Sequence, residues 1–196
     1  MARPRHYDYD ALRVRVIAAA KLLLEEGGPA ALTARALARA VDATPGTIYN
    51  IFDSMAAVLQ QVNRETLEIL AQRVDAIEET EPRARLMALA DAYVRFMLER
   101  RVVWRALFEG PRVTDTFPDW YLAQIDGLIG RITTPLAALG PRTDARLLAE
   151  QLLLSVHGIV ALAAIDRLDL ITAQHPLDLA RAAVARMLAA IEAGAA

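Results

Sequence analysis

Two short helices joined by a tight turn are predicted within residues 33–54, which read TARALARAVDATPGTIYNIFDS. Thr33 is a suitable N-cap for an alanine-rich run that places leucine and valine at helical spacing. Asp42-Ala43 is typical of a turn, and Thr44 caps the next helix. Pro45 occupies the first turn of that helix, where its missing amide does no harm. Two helices separated by about three residues must cross steeply, so this stretch predicts a helix-turn-helix.

The second of these helices is expected to present a short polar face to solvent. Ile48 and Phe52 point inward in this interpretation and anchor the helix to its own domain. Small, polar or planar side chains can bond phosphates or touch base edges, and Gly46 lets the backbone approach closely. The predicted outward set is Thr44, Pro45, Thr47, Tyr49 and Asn50.

The remaining chain predicts seven more helices, so the fold class is all-α with nine helices in two lobes. Alanine, leucine, arginine and glutamate, all strong helix formers, dominate the composition. We expect a helix-turn-helix domain over residues 1–53 and a ligand-binding and dimerisation domain over residues 54–196. The other predicted helices run from the N-cap Asp10 to Gly27, from Asp53-Ser54 to Ile77, from Pro82 to Met97, from Val102 to Phe108, from Pro118 to about Leu139, from Thr143 to Ile165, and from Pro176 to near Ala193. Pro135 is expected to kink the helix that begins at Pro118 or to end it early.

Composition limits the classes of function. The chain is 55% apolar and 23% charged, which suits a packed core. It contains no cysteine, so disulfides, thiolate zinc sites and thiol nucleophiles are excluded. We expect no signal peptide, because no apolar run follows the N-terminus. The apolar stretch Leu152–Ile165 falls short of the roughly 20 residues that cross a bilayer, so a soluble cytoplasmic protein is expected.

Charge gives only weak evidence for a nucleic-acid partner. The chain has a formal net charge of −2. Residues 1–60 hold seven basic and six acidic residues, and four of the basic ones lie in the first fifteen positions, which is typical of a basic arm. Arg3 and Arg5 either form a disordered tail or enter a minor groove, as other N-terminal arms do.

Several segments resemble one family of regulators. Thr33–Ala38 and Thr44–Ser54 resemble the DNA-binding domain of TetR-family repressors, and His6–Arg13 and Ala92–Phe96 are also similar to that family. Val156-His157-Gly158 resembles the subgroup whose ligand-binding lobe carries a Trp-His-Gly signature. The N-terminal resemblance covers about fifty residues, and the helix order fits the whole chain.

The resemblance implies roles in DNA binding. Tyr49 would donate its hydroxyl to a phosphate, Thr33 would cap its helix while bonding a phosphate, and Arg35 would pair with the backbone nearby. The residues implied to face bases or phosphates are Thr44, Pro45, Gly46, Thr47 and Asn50.

Two positions depart from the family pattern. Met55 stands where the family usually has a phosphate-contacting lysine, so the salt dependence of binding should be shallower. Leu153 aligns with the tryptophan of the Trp-His-Gly signature, which weakens the subgroup assignment.

The C-terminal part is rich in rings. The candidate effector-contacting residues are Tyr93, Phe96, Trp104, Phe108, Trp120, Tyr121 and His157. The resemblance implies a cavity enclosed by the fourth to eighth helices. A stripe of rings is equally consistent with a plain core, and His157 with a core histidine bonded to a carbonyl. A mostly apolar or aromatic effector is expected, although Arg95 or Arg105 would suit an acidic one.

The eighth and ninth predicted helices favour a homodimer. The eighth is apolar nearly all round from Leu152 to Ile165, so one face should meet its own lobe and another a partner. The ninth is rich in alanine, which lets helices approach closely. Two such helices from each chain would form a four-helix interface, which the resemblance also implies. The alternative is an ordinary buried helix within a monomer.

The sequence therefore predicts a ligand-responsive DNA-binding regulator, most simply a repressor released from a palindromic operator by a small molecule. The same residues leave open activation, and also a helical interaction module with weak or no DNA binding. A helical-bundle enzyme has little support. Its best candidate pair, Glu150 and His157, lies two turns apart without further acids or ligands. No metal site, no cofactor and no enzymatic activity are expected.

Overall fold

A computed structural model describes residues 8–109 and 118–195, and within these ranges the chain is entirely helical. The predictions of an all-α fold and of nine helices are confirmed for the described residues. Single-turn 3₁₀ helices follow the first and eighth helices, at Pro29–Ala31 and Leu168–Leu170. The nine helices are α1 Tyr9–Gly27, α2 Ala34–Ala40, α3 Pro45–Ile51, α4 Met55–Asp75, α5 Pro82–Glu99, α6 Arg101–Glu109, α7 Asp119–Ala138, α8 Ala145–Ala164 and α9 Pro176–Glu192.

The two ends of α1 follow local chemistry. Asp8, not Asp10, is the N-cap: an Asp8 carboxylate oxygen accepts from the amides of Asp10 and Ala11, each at 3.1 Å. The predicted cap was wrong because Asp10 already lies inside the first turn. At the other end Gly28 adopts φ 66°, a conformation that suits glycine, and its N–H bonds the Leu24 carbonyl at 2.8 Å.

Of the two outcomes predicted for Pro135, a kink or an early end of α7, the early end is wrong. The helix continues to Ala138, and Pro135 is buried beside the fully buried Leu136. Thr133 and Thr134 donate their hydroxyls to the carbonyls four residues earlier, each at 3.0 Å. Burial of the last turn therefore offsets the amide that proline lacks.

The first compact unit comprises residues 1–66 and 102–115. Its described core joins α1, α2 and α3 to the first half of α4 and to α6. Val58 and Val62 of α4 are fully buried, and Val103 of α6 belongs to the same cluster. The unit therefore extends beyond the predicted domain boundary at residue 53, since the helix-turn-helix buries its apolar face against α4.

The second unit comprises residues 67–101 and 116–196. Within it α7 packs on α5 and α8, while α9 packs on α5 and α8. Arg131 of α7 donates two hydrogen bonds of 2.6 Å to the Asp75 carboxylate. These bonds are the principal reason why the pKa of Asp75 is lowered. Arg181 of α9 forms a similar forked pair with Asp91 of α5, at 2.8 and 2.5 Å.

One helix among the described residues, α8, is long and apolar enough to cross a membrane by length and composition alone. The expectation that no segment reached this length was wrong, because it considered only the apolar run Leu152–Ile165 and not the whole helix that contains it. A core helix of a soluble protein passes the same test. Here α8 packs against α5, α7 and α9, which accounts for one side of its apolar surface.

Candidate nucleic-acid interface and effector region

Threonine hydroxyls cap the two helices of the helix-turn-helix. Thr33 Oγ1 accepts from the Ala36 amide and Thr44 Oγ1 from the Thr47 amide, each at 3.1 Å. Both predicted caps are confirmed. Thr33 and Thr44 remain exposed while capping, so each can still offer its hydroxyl to a partner in solution.

The outer face of α3 is as polar as predicted except at one position. Tyr49 has 52% of its surface exposed, and its hydroxyl and the Asn50 amide are accessible. Thr47, which was predicted to face outward, is only 9% exposed, and its hydroxyl lies 2.9 Å from that of Thr44. Residues 47 and 51 are four apart and share the inner side of the helix, which is why the prediction failed. The exposed predicted residues are Thr33, Arg35, Thr44, Pro45, Gly46, Tyr49 and Asn50.

The described cationic side chains of α1 and α2 divide into two groups. Arg13 and Arg15 of α1 donate to backbone carbonyls, and Lys21 forms an ion pair with Glu65. By contrast Arg35 and Arg39 are exposed on α2 and have no hydrogen bond or ion pair to any described residue. They stand four residues apart, so they share one face of the helix. Arg39 was not among the predicted contacts, although this spacing was the available signal.

Two further sequence predictions concern the flanks of this face. Arg3 and Arg5 lie outside the described residues. Met55 is the first residue of α4, and its partly buried side chain packs against the core of the first unit. The position of the missing lysine is therefore filled by an apolar side chain that contributes to packing rather than to charge.

In the second unit the structure brings Tyr93 and His157 together. The Tyr93 hydroxyl lies 2.7 Å from His157 Nδ1, and the two rings are stacked with centroids 6.3 Å apart. Burial lowers the pKa of His157, so the imidazole is neutral at pH 7. If the Tyr93 hydroxyl donates to Nδ1, the ring proton sits on Nε2; if Nδ1 carries the proton, it donates to the hydroxyl oxygen.

The other predicted ring residues do not form one cluster with this pair. Phe96 is fully buried, with the Arg73 guanidinium 5.6 Å from its ring centre, and Trp104 is 3% exposed. Both are buried, which fits the core alternative of the sequence analysis, and their contact with an effector stays a prediction. Trp104 packs against the half-exposed Phe108 in the first unit, with ring centroids 4.9 Å apart.

Trp120 and Tyr121 begin α7 in the second unit. Both are half-buried, and burial raises the pKa of Tyr121. Four of the seven predicted rings, those of Tyr93, Trp120, Tyr121 and His157, are therefore partly accessible and lie on the packed helices α5, α7 and α8.

Two family models match the sequence. The model for bacterial regulatory proteins of the tetR family matches residues 16–62, and the model for a tetracyclin repressor-like C-terminal domain matches residues 86–191. The second match alone spans more than half of the chain. The chain belongs to the TetR family. No curated protein matched the sequence.

Solved structures agree with the TetR assignment. A protein of unknown function from Rhodococcus sp. RHA1 is 26% identical with a TM-score of 0.77, covering 97% of this chain and 99% of that one. Thermus thermophilus FadR, a TetR-family repressor in complex with lauroyl-CoA, is 18% identical with a TM-score of 0.63, covering 93% and 94%. A TetR variant from Acinetobacter baumannii AYE in complex with minocycline is 24% identical with a TM-score of 0.63, covering 92% and 96%.

As a TetR-family member the protein is a ligand-responsive DNA-binding transcriptional regulator and not an enzyme. Regulators of this family bind operator DNA and small molecules, and they work as dimers. The predictions of regulatory function, DNA binding and absence of catalysis are confirmed at that level.

The second unit of this TetR-family chain leaves large apolar side chains exposed. Leu154 of α8 is 70% exposed, and Leu170 and Ile171 beyond the helix are each 71% exposed. Leu147 of α8 and Ile165, its C-cap residue, are exposed as well, seven residues before and eleven after Leu154. These intervals correspond to two and three helical turns, so the three residues share one face of α8.

Proposed function

We propose that this TetR-family protein is a repressor that acts in the cytoplasm and is released from a palindromic operator by a small-molecule effector. The exposed polar face of α3 carries the proposal, together with Arg35 and Arg39 of α2, which pair with none of the described residues. A groove-reading helix needs accessible polar side chains, and the flanking cations fix its register on the phosphates.

In the proposed complex α3 enters the major groove. Tyr49 donates its hydroxyl to a phosphate, while Arg35 and Arg39 pair with the backbone. Two α3 helices related by a twofold axis read half-sites about 34 Å apart, or slightly more. The other contacts come from the exposed side chains and backbone of Thr33, Thr44, Pro45, Gly46 and Asn50.

The twofold axis comes from a dimer through α8 and α9. The exposed apolar face of α8, defined by Leu147, Leu154 and Ile165, supports this assignment, because a monomer would leave it in water. Ala185 and Ala189 are exposed on α9 and permit close approach of a partner helix. A four-helix interface of two α8 and two α9 helices would bury both surfaces.

The effector proposed for the second unit is mostly apolar or aromatic. Tyr93, Trp120, Tyr121 and His157 are the candidate contacts, since their rings are partly accessible and carry polar edges. Assignment to the Trp-His-Gly subgroup also stays a proposal. It rests on His157-Gly158, which lies inside the matched C-terminal range, and Leu153 departs from it.

A second candidate function is a dimeric interaction module with weak or no DNA binding. Met55 favours it, because the packed methionine removes one phosphate contact at the start of α4. The exposed cations of α2, Arg35 and Arg39, favour DNA binding instead. The two functions differ in a direct measurement of sequence-preferring binding.

The deciding experiment is a titration of the purified full-length protein onto two duplexes of equal length. One carries the intergenic DNA beside its own gene and the other is unrelated in sequence. A repressor should bind the first at least about a hundredfold more tightly, with affinity that falls as salt rises. Equal, weak binding to both duplexes by a folded dimer would favour the interaction module.

A further inference from the structure

Two arginines of α1 reach the ends of the two helix-turn-helix helices. Arg13 Nη1 donates to the Ile51 carbonyl at 3.3 Å, and Arg15 Nη2 donates to the Val41 carbonyl at 2.8 Å. Ile51 is the last residue of α3, and Val41 is the C-cap of α2. Side chains two positions apart on a helix point about 200° apart, so one helix can serve two neighbours.

The accepting carbonyls are those that a helix cannot satisfy by itself. The last carbonyls of a helix have no intrahelical donor, and they form the negative end of its dipole. A guanidinium supplies both a donor and a positive charge at that point. Arg13 is held on a second side as well, because its guanidinium carbon lies 4.6 Å from the centre of the buried Phe52 ring.

We infer that Arg13 and Arg15 are positioning residues of the DNA-reading unit rather than DNA contacts. Each fixes the C-terminal end of one helix to α1, while Thr33 and Thr44 cap the opposite ends. The recognition helix α3 is thereby held at both ends, by Thr44 at its start and by Arg13 at its close. The angle at which α3 meets DNA is then set inside the protein.

The structure therefore separates the basic residues of α1 and α2 into positioning residues and residues available for phosphates, a distinction that the sequence does not make. Two arginines that suggest a DNA-binding arm in the sequence are engaged with backbone carbonyls. The cations left for phosphates among the described residues of α1 to α3 are Arg35 and Arg39. Arg35 and Arg39 should therefore contribute to the slope of log K against log[salt] for operator binding, whereas Arg13 and Arg15 should not.

The experiment compares Arg13→Gln with Arg35→Gln, two variants that each remove one positive charge. The probes are a duplex selected by the wild-type protein from random-sequence DNA and an unrelated duplex of the same length. Arg13→Gln should weaken binding to the selected duplex about tenfold and leave the slope of log K against log[salt] unchanged. Arg35→Gln should reduce the slope by about 0.9 for each phosphate that the protein no longer neutralises. An equal reduction with Arg13→Gln would overturn the inference.

A second measurement does not depend on DNA binding. The Phe52 amide bonds the Ile48 carbonyl at 2.9 Å and closes the last turn of α3. Hydrogen exchange of this amide should speed up in Arg13→Gln, which is too short to reach Ile51, and should return towards wild type in Arg13→Lys. Unchanged exchange in both variants would also overturn the inference. The salt slopes rest on the proposed function, so a protein that binds no DNA would fail that proposal while leaving this measurement valid.

Discussion

Tyr93 on α5 and His157 on α8 are joined by a 2.7 Å hydrogen bond although 64 residues separate them in the chain. The bond links two of the packed helices of the second unit. The hydroxyl can donate to an unprotonated Nδ1 or accept from a protonated one, so the bond is compatible with either form of the ring. Burial lowers the pKa of His157 and so favours the neutral form of the ring.

The protein should therefore lose stability as the pH falls from 7.5 to 5.5. His157 has a lowered pKa in the folded state, so the unfolded chain, with an ordinary histidine pKa of about 6.5, binds the proton first. The contribution of His157 to the free energy of unfolding is fully present above pH 6.5, and it declines as the pH falls towards the pKa of His157 in the folded state. Urea denaturation at one fixed protein concentration, followed by circular dichroism at both pH values, measures the change.

His157→Asn is the matched control for this pH effect. Asparagine can keep an acceptor near the position of Nδ1 but does not titrate. The carboxylates with a lowered pKa, Asp75, Glu81 and Glu99, stay ionised throughout this window and contribute equally to both proteins. An equal loss of stability in wild type and variant would show that His157 is not the responsible group.

Tyr93→Phe should reduce the free energy of unfolding by about 1 kcal/mol, because it removes the hydroxyl that bonds to a half-buried imidazole. A double-mutant cycle with His157→Phe isolates the pair. The coupling energy should be about 1 kcal/mol, and the loss caused by Tyr93→Phe should nearly vanish in the His157→Phe background. Additive losses would mean that the two side chains act independently.

Local chemistry explains why much of the DNA-binding unit was predictable. The caps at Thr33 and Thr44 depend on residues three positions away, and the stop at Gly28 depends on one residue. Thr47 failed because its exposure depends on how α3 is rotated against the rest of its unit. The sequence of a seven-residue helix does not fix that rotation.

Contacts between distant elements were beyond prediction from one sequence. The Tyr93–His157 bond joins two helices whose relative register depends on packing. The sequence around either residue does not predict the other as its partner. The same holds for Arg13 and Arg15, which suggest free charge until α2 and α3 are placed beside α1. Pro135 was misjudged because burial of the following turn outweighs a missing amide.

Tyr49→Ala should weaken operator binding by roughly 1–3 kcal/mol, the range for a charge-assisted hydrogen bond to phosphate. The exposed ring contributes little to the folded protein, so the melting temperature should hardly change. Thr47→Val is the contrasting variant, since its hydroxyl bonds only inside the unit in the described structure. It should change affinity less than threefold. Fluorescence anisotropy with the selected duplex measures the affinity of both variants. A larger loss of affinity in Thr47→Val than in Tyr49→Ala would contradict the assignment of Tyr49 to the DNA-facing side of α3.

Met55→Lys should steepen the salt dependence of operator binding. A lysine at the first residue of α4 can lay its stem along the core and extend its ammonium to a phosphate. The slope of log K against log[salt] should grow by about 0.9 per subunit. Met55→Gln controls for the altered packing without adding charge. If both variants show the wild-type slope, the start of α4 does not approach the DNA backbone.

Leu154→Glu should convert the dimer to monomers. Leu154 is 70% exposed on the apolar face of α8, and in the proposed dimer that face is covered by the partner. Burying an unpaired carboxylate costs several kcal/mol, so the dissociation constant should rise at least about a hundredfold. Leu22→Glu places the same charge on a comparably exposed leucine, 59% exposed, of α1 in the first unit. Sedimentation velocity should show monomers only for Leu154→Glu. Leu154→Glu should also lose operator binding, because a monomer has one recognition helix and reads only one half-site. If Leu154→Glu remains a dimer, the interface does not lie on the exposed face of α8.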